Sequence, residues 1–449
     1  MTGSSRRSLL VGLTAASVGV IYGYDLSIIA GAQLFITEQF GLTTRQQELL
    51  TTMVVIGQIV GALGAGVLAN AIGRKKSVLL ILVAYAVFAL LGAFSVSFPM
   101  LLTARFLLGL TIGVTVVVIP VYVAETAPAA VRGSLLTAYQ LAIVSALIIG
   151  YLTGYLLAGT HSWRWMLGLA AVPATLLLPL VIRLPETARW YLLKGRVDDA
   201  RVALLRVEPT ANVEQELAEI GRPLGEGSGG FSEMLRPPYL RATIFVIILG
   251  FLIQITGINA IIYYSPRIFE AMGFTGNFAL LALPALVQVA GLAAVCTSLL
   301  LVDRVGRRPI LLSGIAMMIV ADIVMMAVFT QGHLGGAGLV FGFGGVLLFI
   351  IGYTLGFGSL GWVYASESFP TRLRSIGSST MLTSNLVGNA IVAAVFLTML
   401  HSLGGAGTFA VFAVLAVAAL GFVYRYAPET KGRQLEDIRH FWENGGRWS

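Results

Sequence analysis

The stretch LLVGLTAASVGVIYGYDLSIIAGAQLFI, residues 9–36, decides the reading of this chain. It is long and apolar enough to cross a bilayer, which takes about 20 mostly apolar residues. Tyr22-Gly-Tyr-Asp25 interrupts the run, and Asp25 lies far from either end. An ionised side chain in hydrocarbon costs at least about 2.5–3.5 kcal/mol, so such a residue marks a functional site with a partner to be found. The plain alternative is an aspartate near enough to a helix end to reach headgroups or water. Arg6 and Arg7 ahead of the run imitate a signal peptide. The apolar part is too long for one, and it lacks a small-residue cleavage site.

Outward from this segment the pattern recurs until there are twelve spans in all. They lie at residues 9–36, 48–70, 77–97, 100–124, 134–158, 164–184, 240–270, 278–302, 309–330, 338–365, 375–400 and 405–427, numbered 1 to 12 in chain order. Glycine and proline inside several of them are tolerated in membrane helices. Hydrophobic residues make up 57% and charged residues 11% of the chain, against roughly 25% charge in soluble domains. The mean hydropathy of +0.88 agrees. The fold class expected is an all-α membrane protein.

The formal charge of +8 does not point to nucleic acid. The cations fall in alternate loops: Arg74-Lys75-Lys76, Arg132, residues 189–206, Arg304/Arg307/Arg308, Arg372/Arg374 and Lys431/Arg433. The other loops carry Arg45 and are otherwise almost neutral, as at 158–161 and 331–333. The positive-inside rule then puts both termini and the long loop 185–238 in the cytoplasm. Within that loop, 198–207 and 213–220 read as short amphipathic helices, and Gly225-Glu-Gly-Ser-Gly-Gly230 as a flexible linker. Residues 434–442 read as one more polar helix. Cys296, the single cysteine, excludes an internal disulfide, and no metal cluster is suggested. No Asn-x-Ser/Thr acceptor occurs, so nothing points to a glycosylated loop.

The chain repeats itself. Ile72-Gly-Arg-Lys75 returns as Val305-Gly-Arg-Arg308, residues 124–132 return as 366–374, and Pro185-Glu-Thr187 returns as Pro428-Glu-Thr430. A period of roughly 240 residues implies two six-span halves, an arrangement frequent in secondary transporters. The expected domains are a first bundle at 1–184, the loop at 185–238, a second bundle at 239–427 and a tail at 428–449.

These motifs carry a resemblance. Gly-Tyr-Asp25 in span 1, Pro-Glu-Thr-Ala-Arg189 after span 6, Gly257-Ile-Asn259 with Tyr263-Tyr264 in span 7 and Pro-Glu-Thr-Lys-Gly432 at the end are together specific. The chain resembles the sugar porter family of the major facilitator superfamily over nearly its whole length. The Gly-Arg-Lys/Arg loops alone would indicate only the superfamily. The resemblance implies two pseudo-symmetric six-helix bundles in a bacterial inner membrane, rocking about a central site. Drug exporters of the superfamily usually carry a Gly-Pro motif in span 5; here Gly150, Gly154 and Gly159 stand without proline.

Three charges lie well inside spans: Asp25, Arg105 and Asp322. Asp25 stands about eight to eleven residues from the outer end of span 1, and Arg105 about five from the outer start of span 4. At ~1.5 Å per residue both fall in the outer half of the bilayer. They can pair if spans 1 and 4 face each other, as the resemblance implies. In proton-coupled sugar porters the aspartate and arginine at these positions couple transport to protons, whereas passive carriers typically have a neutral residue for the aspartate. The alternative is a static ion pair. Asp322 is outside the family pattern, and a local role, hydrogen-bonded within its helix or to a neighbour, is expected of it.

A sugar needs donors and acceptors around its hydroxyls and an aromatic face against its C–H surface. Amides supply both polar functions, and buried amides need a reason, because unpaired polar groups are costly. The candidates are Gln140, Gln254, Asn259, Asn385 and Asn389, with Trp362 as stacking platform and Tyr22 and Tyr263 as further aromatics. The resemblance assigns sugar binding to Gln140, Gln254, Asn259, Tyr263 and Trp362. Gly257 would let span 7 break and swing. The alternative for each amide is interhelical glue worth ~1 kcal/mol or less. Where the family often has polar or aromatic groups, this chain has Leu147, Ile253, Gly291 and Leu386. Gln288, one turn before Gly291, is a candidate substitute. A less polar sugar or a polyol is therefore within reach of the reading.

Charges at the loop motifs form a candidate cytoplasmic gate: Arg74, Glu125 and Arg132 in the first half, Asp303, Arg307, Glu367 and Arg374 in the second. In the family these pair across the halves when the carrier faces outward. Asn70 and Ala71 replace the Asp-Arg of many superfamily members, Asn being usual in sugar porters. The alternative is positive-inside topology alone.

The function expected is import of a monosaccharide or related polyol by proton symport, with no cofactor, by a chain acting as a monomer. Passive facilitation, carriage of another small polar solute, or sugar sensing without transport are the alternatives. Sensors usually carry long extensions, and the tail after Pro428 is about twenty residues. An enzyme is not expected, since His161, His333, His401 and His440 fall in loops or the tail without a nucleophile beside them.

Overall fold

The computed structural model describes residues 3–127, 129–207, 212–225, 231–331, 336–370, 373–431, 433 and 435–444. Of the residues singled out from sequence, Glu226 to Gly230, His333, Arg372 and Gly432 lie outside the described residues, as do the side chains of Arg132 and Asp303. Among the described residues, twelve helical stretches are long and apolar enough to cross a membrane. Spans 1 to 6 are Leu9–Phe40, Thr44–Ile72, Arg74–Ala93, Phe98–Thr126, Ser134–Thr160 and Trp163–Ile182. Spans 7 to 12 are Leu240–Ala271, Phe278–Val302, Arg307–Thr330, Gly336–Glu367, Arg374–Ser402 and Gly404–Tyr426. The chain divides into two compact units, Met1–Phe40 with Met53–Ser228 and Gly41–Thr52 with Gly229–Ser449.

The apolar run 9–36 suggests one helix, but a break falls between the helices Gly3–Ala16 and Gly19–Phe40; Tyr22 to Asp25, which interrupt the apolar run, are helical. Ser17 stands at the break, and its hydroxyl donates to the Thr14 carbonyl at 2.7 Å. The Val18 and Ile21 amides then close tight bonds on Ala15 and Val18. The glycines serve packing. A Cβ at Gly23 would overlap the Ile143 carbonyl, so span 5 lies directly against the turn that carries Asp25. Spans 2 and 4 use the same device at Gly57, Gly61, Gly109 and Gly113, where added Cβ atoms would strike the facing backbone. Small residues permit this close approach where no hydrophobic drive between helices exists.

Span 7 is two helices, Leu240–Ile255 and Ile258–Ala271. Gly257 joins them at φ 103°, a conformation that L side chains rarely adopt. A Cβ there would also stand 2.9 Å from the Phe412 ring.

The long loop contains Ala188–Leu193, Val197–Val207 and Val213–Gly225, packed on Ala188, Ala200 and Leu217. The first of these was not evident from the apolar spacing; Thr187 starts it by accepting from the Trp190 amide at 3.2 Å. The tail helix, Leu435–Glu443, is amphipathic rather than polar. Ile438, Phe441 and Trp442 are buried, and the Trp442 ring lies 5.0 Å from that of Phe245.

Candidate transport site

In the first unit, Arg105 Nη1 donates to Asp25 Oδ1 at 2.8 Å. The side chains are 1% and 2% exposed, so the pair is fully enclosed. Asp25 Oδ2 and Arg105 Nε have no hydrogen-bond partner. Both groups stand further from the helix ends than the sequence boundaries suggested, because span 1 runs on to Phe40 and span 4 starts at Phe98. The extra polar turn of span 1 is held by Trp163 Nε1 and Arg164 Nη1, which donate to Gln39 Oε1 at 2.7 and 3.0 Å. The turn before Asp25 is tied down as well. Tyr24 donates to the Met166 carbonyl at 3.2 Å and Tyr85 to the Ile21 carbonyl at 3.0 Å. Tyr22 is half-buried and Gln140 is exposed.

In the second unit, Gln254, Asn385, Asn389 and Tyr263 come together. Gln254 Nε2 donates to Asn385 Oδ1 at 3.1 Å, and Asn385 Nδ2 to the Gly250 carbonyl at 3.4 Å. Asn389 Nδ2 donates to the Tyr263 hydroxyl at 3.2 Å. Gln254 Oε1 and Asn389 Oδ1 are buried acceptors without a hydrogen-bond donor. Asn259 is buried in the turn after the Gly257 break. Gln288 is buried too, and its Oε1 lies 3.6 Å from where a Gly291 Cβ would stand. Its amide thus lies in ordinary contact with that position, where the Ile350 side chain is the tighter neighbour at 3.1 Å. Trp362 is 41% exposed and makes no part of the amide cluster's hydrogen bonds.

The gate residues whose side chains are described, Arg74 and Glu125 in the first unit and Arg307, Glu367 and Arg374 in the second, gather at the loop motifs. Arg74 Nε lies 3.0 Å from Glu125 Oε2, and its Nη1 donates to Asn70 Oδ1 at 3.0 Å. Glu367 has Arg307, Arg374 and Glu429 as charged neighbours. In the sequence the Pro-Glu-Thr motifs stand as an internal repeat and a family mark; in the fold they hold these corners. Glu186 accepts from the Arg74 and Lys75 amides at 2.9 and 3.0 Å. Glu429 accepts from the Arg307 and Arg308 amides, both at 3.0 Å. Each carboxylate thus caps the first turn of a span, where unpaired N–H groups and the helix dipole favour an anion. The matching tyrosines, Tyr122 and Tyr364, donate to the Pro185 and Pro428 carbonyls at 2.6 and 2.9 Å. The signal in the sequence was the paired recurrence of Gly-Arg-Lys/Arg and Pro-Glu-Thr.

A second contact escaped the sequence reading. Glu48, on the first turns of span 2, is fully buried. It accepts from the Thr398 amide at 2.7 Å and the Thr398 hydroxyl at 2.9 Å. Arg45 pairs with Glu48 at 3.2 Å and donates to the Ala394 carbonyl at 2.7 Å. Tyr264 donates to the next carbonyl, Ala393, at 2.9 Å.

Asp322 is corrected. Both of its carboxyl oxygens are buried without a hydrogen-bond partner, so the expected local bond is not made. Its helix face offers none, since Met318, Ala321 and Met325 are the buried neighbours along span 9. Removing an unpaired buried polar group should stabilise by about 1–3 kcal/mol. Asp322→Leu is therefore expected to raise the melting temperature in detergent and to leave uptake intact; a lower melting temperature would refute this.

Twelve apolar spans, a buried acid–guanidinium pair in the first unit and an amide cluster in the second define the class: a multi-pass membrane carrier. Solved structures give the fold. The major facilitator proton:xylose symporter XylE bound to 6-bromo-6-deoxy-D-glucose matches with a TM-score of 0.81 over 98% of this chain and 100% of that one, at 24% identity. The inward open xylose transporter XylE from Escherichia coli matches with 0.83 over 97% and 100%, at 23% identity. The family model for "Sugar (and other) transporter" covers residues 11–442, and the chain belongs to the sugar porter family. It is 36% identical over 426 residues to the galactose-proton symporter of Escherichia coli K12, covering 94% of this chain and 92% of that protein. It is 33% identical over 438 residues to the arabinose-proton symporter of the same organism, covering 96% and 93%. The glucose transporter GlcP of Staphylococcus epidermidis is 32% identical over 433 residues, covering 96% of each. The chain is thus a sugar-porter transporter and not an enzyme.

Proposed function

We propose that this protein imports a monosaccharide or related polyol together with a proton, by alternating access, from a bacterial inner membrane with both termini in the cytoplasm. The observation that carries the reading is the enclosed Asp25–Arg105 pair, in which one carboxylate oxygen is bonded and the other is free. Desolvation and the guanidinium act on the Asp25 carboxyl in opposite senses. A change in access to the site alters that balance, so proton occupancy follows conformation.

Gln254, Asn385 and Asn389 bind the sugar, Gln254 Oε1 and Asn389 Oδ1 accepting from its hydroxyls. Asn259, Gln288 and Tyr263 complete this side, and Tyr22, Gln140 and Trp362 supply further contacts. Arg74, Glu125, Arg132, Asp303, Arg307, Glu367 and Arg374 form the cytoplasmic gate. The galactose- and arabinose-proton symporters among the relatives support both the solute class and the coupling.

The reading is tested with proteoliposomes, a panel of radiolabelled sugars and polyols, and an imposed pH gradient. Concentrative uptake of one of them is expected when the outside is acid. Flux that runs only downhill would make the protein a facilitator. For whichever solute is taken up, Asn385→Ala should raise KM about tenfold, the equivalent of roughly one lost sugar hydrogen bond with its bonded amide partner. An unchanged KM would remove Asn385 from the binding site.

A further inference from the structure

Tyr85 is one of the largest fully buried side chains among the described residues, and it stands outside the sugar and gate residues. It stands in span 3, and its hydroxyl donates across to span 1, to the carbonyl of Ile21 at 3.0 Å. That carbonyl has a particular place. In an α-helix the amide of residue i closes on the carbonyl of residue i−4. Residues 19–40 are helical, so Ile21 stands at the acceptor position for the Asp25 amide. Tyr85 therefore holds the rung from which the coupling carboxylate is hung. A phenol is costly to bury without a partner, and this one spends its donor on that carbonyl.

The surroundings leave Tyr85 a distinct part. Span 5 presses on the same turn through Gly23, which fixes the backbone from one side. Tyr24 reaches span 6 through Met166, which fixes it from another. Tyr85 is the hydroxyl that reaches the turn from span 3. The charged and titratable groups around Asp25 are Arg105 from span 4, Tyr22 and Tyr24 on its own helix, and Tyr85. Span 5 carries the phenols Tyr139, Tyr151 and Tyr155, of which Tyr139 lies near Tyr22. Span 6 brings Arg164, which is engaged at Gln39 and the Ser95 carbonyl near the end of span 1.

We propose that Tyr85 is a positioning residue for proton coupling: by bonding the Ile21 carbonyl it sets where the Asp25 carboxylate sits relative to Arg105. The inference rests on the proton-symport reading. Tyr85→Phe removes one oxygen and keeps the ring. Loss of one hydrogen bond that aligns the pair is expected to move the pH of half-maximal uptake by about half a unit or more. Each profile is normalised to the same variant's counterflow rate, so a change in the amount of folded carrier does not move it. 3-Fluorotyrosine at position 85, a stronger donor of nearly the same shape, should move the profile in the opposite sense. It keeps the test open should the phenylalanine variant not fold. In an Asp25→Asn background the Tyr85→Phe change should add nothing to the pH dependence, as expected of two residues acting through one group. Profiles that superimpose for native, phenylalanine and fluorotyrosine proteins would overturn the role of Tyr85. If Asp25→Asn itself still accumulates sugar on a pH gradient, the symport reading fails, which is a separate outcome.

Discussion

Asp25→Asn is expected to abolish accumulation of sugar on a pH gradient, while counterflow of labelled sugar remains measurable. One pH unit is worth 1.36 kcal/mol per proton, so a carrier moving one proton per sugar can sustain about tenfold accumulation across it. The variant should bring that ratio to one. Asparagine keeps an oxygen that can accept from Arg105 Nη1, in place of the 2.8 Å bond to Asp25 Oδ1. It cannot take up and release a proton. The arginine meanwhile loses its counter-charge in an enclosed site, and removing one partner of a buried pair typically destabilises by about 3–5 kcal/mol. A fall in thermal stability should therefore accompany the loss of coupling. Arg105→Leu leaves the carboxylate without its donor and should disturb coupling as well. Retention of tenfold accumulation by Asp25→Asn would end the assignment, whatever its stability.

What the residues disclosed and what they hid have different physical origins. Span number and near boundaries were legible because hydrocarbon demands unbroken apolar length, and that demand is written locally. Asp25 and Arg105 were legible for the same reason, since charge inside such a run stands out. The Gly257 break was legible because a positive φ is ordinary only for glycine. Depth was misjudged because the last turn of span 1 is polar and is held by Trp163 and Arg164, far along the chain. The break at Ser17–Val18 leaves no mark in the apolar run, and the packing role of Gly23 against span 5 is not written in local sequence. A buried acid in an apolar run leads one to expect a bond, and both carboxyl oxygens of Asp322 go without one. Glu186 and Glu429 were seen only as repeats, since capping from a distance of more than a hundred residues leaves no spacing to read.

Glu48 shows the same limit most clearly, and the second large effect is expected there. From sequence it is one acid in the first turns of an apolar span, a position where the helix dipole alone would suit it. In the fold it is fully buried and bonded to both the amide and the hydroxyl of Thr398. Its companion Arg45 takes the carbonyl of Ala394, the residue one helical rung before Thr398. The pair therefore addresses both ends of a single rung of span 11. Hydrogen bonds to a charged group are worth about 1.5–3 kcal/mol each, and a buried donor left unpaired costs its desolvation besides. Glu48→Ala should thus cost about 3–5 kcal/mol, read as a drop in melting temperature, whereas Glu48→Gln keeps an acceptor and should cost less. Residues 41–52 cluster with the second unit while the rest of span 2 belongs to the first. Span 2 thus continues from one unit into the other near residue 52, and in the proposed alternating-access cycle bending there loads this clasp. An interaction present in one state and absent in another shifts their populations by its own free energy. Glu48→Ala is accordingly expected to change the ratio of inward to outward accessibility, measured by labelling of single cysteines placed at either end of the spans. An alanine variant with native stability and native labelling would show that the clasp holds nothing.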